Sequence, residues 1–307
     1  MKIYNSILEL IGNTPLVRLR KIEEKYNLDV QLVAKLEMFN PSGSVKVRPA
    51  VNMLLKALEE KIIDINTPVI EATSGNMGIA LAFACTTLGI KFIAVMPESM
   101  SVERRKLIKA YGADIVLTKA NLGMKGSLEK ALELKDELNG FIPSQFDNIN
   151  NPLSHYFQTA QEIYLDTNGN VDIVVAGIGT GGTISGVGKY LKEKKDVQIL
   201  GVEPTKSPMI TKGIATSHKI QGIGANFIPN NLDMNVIDEV LMVDDNDAIM
   251  MSLQLAKLEG IFVGISSGAA LTGAIKYIIE NNVKEKMIVV ILPDTGERYL
   301  STELVDE

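Results

Sequence analysis

A lysine at the junction of a polar, glycine-containing loop and an amphipathic helix is the first residue that could do chemistry: Asn40-Pro41-Ser42-Gly43-Ser44-Val45-Lys46. Ser44 is placed to cap the helix, and the positive helix end disfavours a protonated ammonium at that position. Both effects suit an amine that must be neutral to attack an aldehyde. Two further segments supply complementary groups. Thr73-Ser74-Gly75-Asn76 lies between a strand-like and a helix-like run, as does Gly177-Ile178-Gly179-Thr180-Gly181-Gly182-Thr183. A lone amine, an amide-and-hydroxyl loop and an anion cradle are the parts needed to hold a phosphorylated aldehyde as a Schiff base.

The glycine loop admits two readings. Backbone N–H groups of Gly179, Gly181 and Gly182 can approach an anion at a helix N-terminus, with hydroxyl donors from Thr180 and Thr183. Gly177, Gly179 and Gly182 also fit GxGxxG, and Glu203 ends the next strand where a ribose-binding acid would sit, the pattern of a nicotinamide enzyme. A tight strand–helix turn alone would also use glycines. The Thr73–Asn76 amides point to a second anion, assigned to a carboxylate because the glycine loop already takes the phosphate. Ser266 and Ser267, in Gly264-Ile265-Ser266-Ser267-Gly268, precede another helix; one can cap it while the other faces a ligand. With His155 and His218 the only histidines and no Cys/His cluster, a zinc site or a Ser-His-Asp triad lacks its residues, and no metal is expected. Cys85, the single cysteine, lies in an apolar helical run and reads as a small buried hydrophobe.

The elements that must position these groups alternate between strand and helix. Residues 30–36, 68–71, 92–96, 115–117, 173–176, 199–202 and 287–292 read as strands. Residues 51–58, 78–88, 101–111, 124–138, 182–194, 245–259 and 268–281 read as helices, the first with Val51, Leu54, Leu55 and Leu58 as its core face. Such alternation implies an α/β fold with parallel sheets and helices on both faces. Residues 140–153, rich in Asn and Pro, read as the passage between two domains, and 203–238 as a long irregular segment of the kind that carries function. A net charge of −6 argues against a nucleic-acid surface, and no apolar run approaches the ~20 residues that span a bilayer. The N-terminus reads as mature protein rather than a signal peptide, and one cysteine fits a reducing, cytoplasmic setting.

Taken together, the PSGSVK lysine, the TSGN loop, GTGGT, GISSG, the opening Ile11-Gly12-Asn13-Thr14-Pro15-Leu16-Val17 and the closing run Leu292 to Thr302 with its GERYLST resemble the cysteine synthase (O-acetylserine sulfhydrylase) family. This family belongs with cystathionine β-synthase among the pyridoxal-phosphate enzymes of fold type II, and the resemblance covers the whole chain. It implies two α/β domains, each a mostly parallel twisted sheet flanked by helices, with pyridoxal 5'-phosphate in the cleft between them. Residues 40–147 would form a smaller, mobile substrate-carboxylate domain, and 1–39 with 148–307 a larger cofactor-phosphate domain.

The resemblance makes Lys46 the Schiff-base lysine and the base for the substrate α-proton. It gives Asn76 the cofactor ring oxygen, and Gly179, Thr180, Gly181, Gly182 and Thr183 the phosphate. Ser266, or the adjacent Ser267, would face the pyridine nitrogen, where a neutral hydroxyl leaves the ring a weaker electron sink than an Asp would. Thr73, Ser74, Gly75 and Gln145 would hold the substrate carboxylate, with Met77, Gly222 and Asn226 beside the substrate. Met77 stands where the family usually has Thr, Asn226 where it usually has Gly, and Val47 where an acid usually follows the lysine. Met77 narrows a pocket and removes a donor, and Asn226 adds an amide, so the two favour a nucleophile larger than sulfide.

The implied activity is β-replacement through an aminoacrylate, O-acetylserine plus sulfide giving cysteine. Alternatives are the same chemistry on cysteine, releasing sulfide with water or a second thiol as nucleophile, and a nicotinamide-dependent oxidoreductase. The implied partners are small amino acids, sulfide or thiols, a second copy in a homodimer, and serine acetyltransferase.

Overall fold

The computed structural model describes residues 3–73 and 75–305. In chain order the strands are β1 (Leu16–Arg18), β2 (Gln31–Leu36), β3 (Val69–Ala72), β4 (Phe92–Pro97), β5 (Asp114–Thr118), β6 (Ile173–Gly177), β7 (Gln198–Pro204), β8 (Glu239–Val243) and β9 (Met287–Leu292). The helices are α1 (Arg20–Tyr26), α2 (Val47–Glu59), α3 (Asn76–Leu88), α4 (Val102–Ala110), α5 (Gly123–Leu138), α6 (Asn150–Ser154), α7 (Ala160–Asp166), α8 (Gly182–Lys194), α9 (Met209–Lys212), α10 (Asp245–Glu259) and α11 (Ile265–Glu280). By their contacts they divide into two compact units, Met1–Ile11 with Asn40–Asn151 and Gly12–Phe39 with Pro152–Glu307.

The first unit is built on a parallel sheet ordered β3-β4-β5. Side-chain alternation divides its two faces. Val69, Phe92, Ala94 and Met96 join a core with α2 and α3, onto which Leu8 and Ile11 also pack; Ile70, Ala72, Ile93 and Val95 meet Ala131 and Leu134 of α5. Both faces are therefore covered, which is why these strands read as continuous apolar runs. Helix α2 begins at Val47, four residues before the expected start. Its core face is Val47, Ala50, Val51, Met53, Leu54 and Ala57, while Leu55, expected in the core, is 44% exposed at the margin of that stripe. Cys85 is fully enclosed in α3, and burial pushes its thiol up to about 12, an inert state.

The second unit carries a six-stranded sheet ordered β1-β2-β9-β6-β7-β8, parallel except for the β1–β2 pair. Leu32, Ala34, Leu36, Val175, Val202, Val290 and Leu292 face one core with α10 and α11, and Val33, Val174, Ala176, Ile199, Val289 and Ile291 face the other with α7 and α8. The edge strands β1 and β8 and helix α1 were not expected; they are short or charge-rich, so their periodicity is weak. Lys35 is fully buried in β2, where its ammonium meets Glu162 at 2.7 Å and donates to the Thr14 carbonyl at 2.7 Å. Among the described residues no helix is long and apolar enough to cross a membrane.

Close approach decides one helix position. A Cβ on Gly186 of α8 would stand 2.2 Å from the Pro152 carbonyl oxygen and 2.8 Å from His155 Cβ. Gly186→Ala should therefore lower stability by about 1–3 kcal/mol, although Ala is the better helix former by ~1 kcal/mol. A fall in the thermal midpoint checks this; a rise would show that the contact relaxes freely.

Candidate functional site

Three of the motif helices open in the same way. Helices α3, α8 and α11 follow β-strands or extended loops, and their N-cap positions are Gly75, Gly181 and Gly264, none of which has a side chain to occupy the first-turn N–H groups. Such ends are ready-made anion sites. Gly181 takes φ +79°, in the left-handed region that glycine adopts without strain.

In the second unit the structure brings Gly179, Gly222 and Ser266 together. A Cβ on Gly179 would stand 2.4 Å from the Gly222 carbonyl oxygen, and one on Gly222 would stand 3.4 Å from Ser266 Oγ. A Cβ on Gly181 would meet the backbone of Leu232 at 2.8 Å. The loop is thus packed from behind by protein backbone, so glycine is required there even before any ligand approaches. The hydroxyl of Thr180 accepts from Gly182 N at 3.4 Å, and Thr183 Oγ1 lies 3.3 Å from Nε2 of the buried His155, whose Nδ1 is 2.9 Å from Thr159 Oγ1. His155 sits in a π-helical turn, His155–Thr159, an irregularity often found at functional sites and one that periodicity does not reveal. Ser267 is fully buried with its hydroxyl enclosed and unbonded, whereas Ser266 is the serine beside Gly222.

Glu203, the candidate ribose acid, has its carboxylate committed. It accepts Ile210 N at 2.8 Å, Thr211 N at 3.1 Å and the Thr211 hydroxyl at 2.5 Å, closing the N-terminus of α9. The segment 203–238 is held by further bonds of this kind, including His218 Nε2 to the Gly224 carbonyl at 3.0 Å and Lys206 to Asp245 at 2.9 Å. Asn226 is part of that stapling. It has φ +64°, and its side-chain oxygen accepts the Ser207 hydroxyl at 2.6 Å. Asparagine tolerates the left-handed region better than any other side-chain-bearing residue, which accounts for Asn at a glycine position.

In the first unit Lys46 occupies the N-cap of α2 with φ −67°, half-buried. Ser44, expected as the cap, lies two residues earlier. Its hydroxyl accepts the Lys46 N–H at 3.4 Å, in a turn closed by Val47 N to the Ser44 carbonyl at 3.5 Å and Arg48 N to the Val45 carbonyl at 3.2 Å. Thr73 is buried at the carboxyl end of β3, and a Cβ on Gly78 would touch its methyl group at 2.8 Å. Gly75 and Asn76 are half-buried at the start of α3, and Ser74 lies outside the described residues. Met77 is 2% exposed and packs in the α2/α3 core.

The passage 140–148 runs along the free edge of β3. Phe141 bridges Val69 in parallel, and Ile70 N donates to the Phe141 carbonyl at 2.8 Å. Glu71, missed in the sequence, lies under that passage. Its oxygens accept Ser144 N at 3.3 Å and Gln145 N at 3.4 Å, and burial pushes its carboxyl up to about 7 against the pull of these bonds. The signal in the sequence was an acid inside the apolar run Val69-Ile70-Glu71-Ala72.

The Asn226 geometry gives a direct test. Asn226→Gly should leave stability within ~0.5 kcal/mol of the parent, and Asn226→Ala should lose about 1–2 kcal/mol by forcing a Cβ without a hydrogen bond into the left-handed region. Thermal unfolding of the two variants checks the order; equal midpoints would contradict it.

The family model described as "Pyridoxal-phosphate dependent enzyme" matches residues 7–294. A cysteine synthase B from Campylobacter jejuni is 53% identical over 306 residues, covering 99% of each chain. The solved structure of a cysteine synthase from Entamoeba histolytica matches with a TM-score of 0.96 at 41% identity, over 100% of this chain and 93% of that one. A hydrogen sulfide-producing enzyme from Fusobacterium nucleatum matches with a TM-score of 0.92 at 45% identity, over 97% of this chain and 100% of that one. A match that runs through nearly all of the chain, with relatives similar from end to end, leaves one assignment: the chain belongs to the family of pyridoxal-phosphate-dependent enzymes.

Proposed function

We propose that this enzyme performs β-replacement on an amino acid, making cysteine from O-acetylserine and sulfide, with pyridoxal 5'-phosphate as cofactor. The observation that carries the reading is the juxtaposition of Gly179, Gly222 and Ser266 behind the uncapped N-terminus of α8. A phosphate fits the first-turn N–H groups of a helix whose N-cap is a glycine, and a pyridine nitrogen fits the Ser266 hydroxyl on the same wall. A dinucleotide fits poorly, since Glu203 has its oxygens bonded within its own segment.

The cofactor, when bound, supplies an electron-withdrawing ring that lets the substrate α-proton leave. Lys46 would hold its aldehyde carbon and move that proton at Nζ; the N-cap position favours the neutral amine this needs. Gly179, Thr180, Gly181, Gly182 and Thr183 would hold the phosphate, and Asn76 the ring oxygen. The Ser266 hydroxyl would bond the pyridine nitrogen without protonating it. Thr73, Ser74, Gly75 and Gln145 would orient the substrate carboxylate, with Met77, Gly222 and Asn226 around it. Met77 would act from within the core, and Asn226 through its bond to Ser207.

Similarity to the hydrogen sulfide-producing enzyme supports a second reading, sulfide release from cysteine at the same site. The reading extends to a cytoplasmic homodimer able to bind serine acetyltransferase.

The purified protein should be yellow, Lys46→Ala should abolish the absorbance, and borohydride reduction with peptide mapping should place the cofactor on Lys46. A label on another lysine would refute the assignment. O-acetylserine with sulfide should yield cysteine faster than cysteine alone yields sulfide; the reverse order would favour the second reading. Ser266→Ala should slow turnover while retaining the cofactor.

A further inference from the structure

We infer that His155 is a positioning residue which, oriented by Thr159, turns the Thr183 hydroxyl toward the cofactor phosphate. The inference rests on the proposed role of the glycine loop and adds two residues to it.

A buried histidine needs a partner for each ring nitrogen. His155 is 1% exposed, in the π-helical turn packed against α8, where a Cβ on Gly186 would stand 2.8 Å from the histidine Cβ. Its Nδ1 lies 2.9 Å from Thr159 Oγ1 and its Nε2 3.3 Å from Thr183 Oγ1. Thr159 is fully buried, four residues on and so on the same helix face, and its hydroxyl makes no other bond among the described residues. Thr183 is the second residue of α8, half-buried behind the Gly181 N-cap. Its hydroxyl belongs to the first turn, whose N–H groups suit an anion.

A neutral imidazole has one N–H and one bare nitrogen, and a hydroxyl has one proton to give. An anion takes donors only. For Thr183 to serve a phosphate, its proton must point at the phosphate, so its oxygen must accept from His155 rather than donate to it. That requires the ring proton on Nε2 and leaves Nδ1 bare. Thr159 supplies the donor that a bare Nδ1 needs. Every proton in the chain then points the same way: from Thr159 to Nδ1, from Nε2 to Thr183 and from Thr183 to the anion. Bonds aligned in one sense polarise and strengthen one another. The other tautomer reverses the chain. Thr183 then gives its proton to Nε2 and presents lone pairs to the phosphate, which repel it.

The first measurement is the tautomer. His155 and His218 are the only histidines, so holoenzyme labelled with 15N-histidine gives two sets of ring signals, and His218→Gln identifies which is which. The His155 proton should be on Nε2, with Nδ1 bare; a proton on Nδ1 would overturn the inference. The second measurement is the Kd of cofactor-stripped protein for pyridoxal 5'-phosphate, followed by visible absorbance, with pyridoxal as the phosphate-free control. Thr183→Val should raise the Kd for pyridoxal 5'-phosphate about tenfold or more, the size expected for a lost bond to a charged group. Thr159→Val, which keeps the side-chain volume, should raise it several-fold, and Thr159→Ser should restore it. None of the three should change the Kd for pyridoxal. If Thr159→Val weakens both ligands equally, Thr159 and His155 only hold the turn, and the inference fails. If Thr183→Val weakens pyridoxal 5'-phosphate alone while Thr159→Val changes nothing, the relay is absent and the phosphate reading of the glycine loop stands. If Thr183→Val leaves both constants unchanged, the phosphate assignment of Thr183 fails and takes this inference with it.

Discussion

A parallel strand buried on both faces needs a connection that leaves the sheet at its carboxyl end and returns through a covering helix, so helix N-termini collect at that end. In this protein the constraint acts in both units. Strand β3 delivers Thr73 and then α3; strand β6 delivers the glycine loop and then α8. Each helix begins behind a glycine, so its N-cap residue supplies no side-chain acceptor to the first N–H groups. The chemistry available at these junctions is anion binding, and it follows from the sheet's burial rather than from any one polar residue.

Carboxylates perform a second, repeated task, which is to accept backbone N–H groups at the ends of loops, strands and a short helix. Glu71 receives Ser144 and Gln145, Glu203 receives Ile210 and Thr211, Asp238 receives Ile199 at 2.7 Å, and Asp172 receives Met287 at 2.9 Å. Charge-assisted bonds to N–H groups are stronger than neutral ones, and each acid fastens a loop or strand end to its neighbour. The device explains why Glu203, spaced like a ribose-binding acid, serves its own segment instead. It also explains how a loop of more than thirty residues between β7 and β8 keeps a defined shape with little regular structure.

Tight packing of glycine backbones completes the arrangement. Gly179 against Gly222, Gly181 against Leu232 and Gly186 against Pro152 bring main chains closer than any Cβ allows. The glycines that make the loop suitable for a phosphate are thus also needed for the segments behind it, and the two requirements cannot be separated by composition alone.

The amino-acid sequence by itself determined the alternation of elements, because strands buried on both faces are continuous apolar runs and the long helices carry a 3.6-residue stripe. It also determined the chemical types at the junctions: a lysine at a helix start, glycines before α3 and α8, hydroxyls beside them. Short or charge-rich elements such as β1, α1 and β8 were not legible, since three to seven residues give too few periods. The tertiary structure alone decided which residues with similar spacing do different work. It enclosed Ser267 and set Ser266 beside Gly222, committed the Glu203 oxygens to α9, put Lys46 rather than Ser44 at the cap, and sank Met77 into the core. It also set Glu71 beneath Gln145, residues 74 apart in the chain. The physical reason is the same in each case. Type and spacing specify what a side chain can donate or accept, whereas its partner is supplied by segments distant in sequence, brought within hydrogen-bond reach only when the sheets close and bury them.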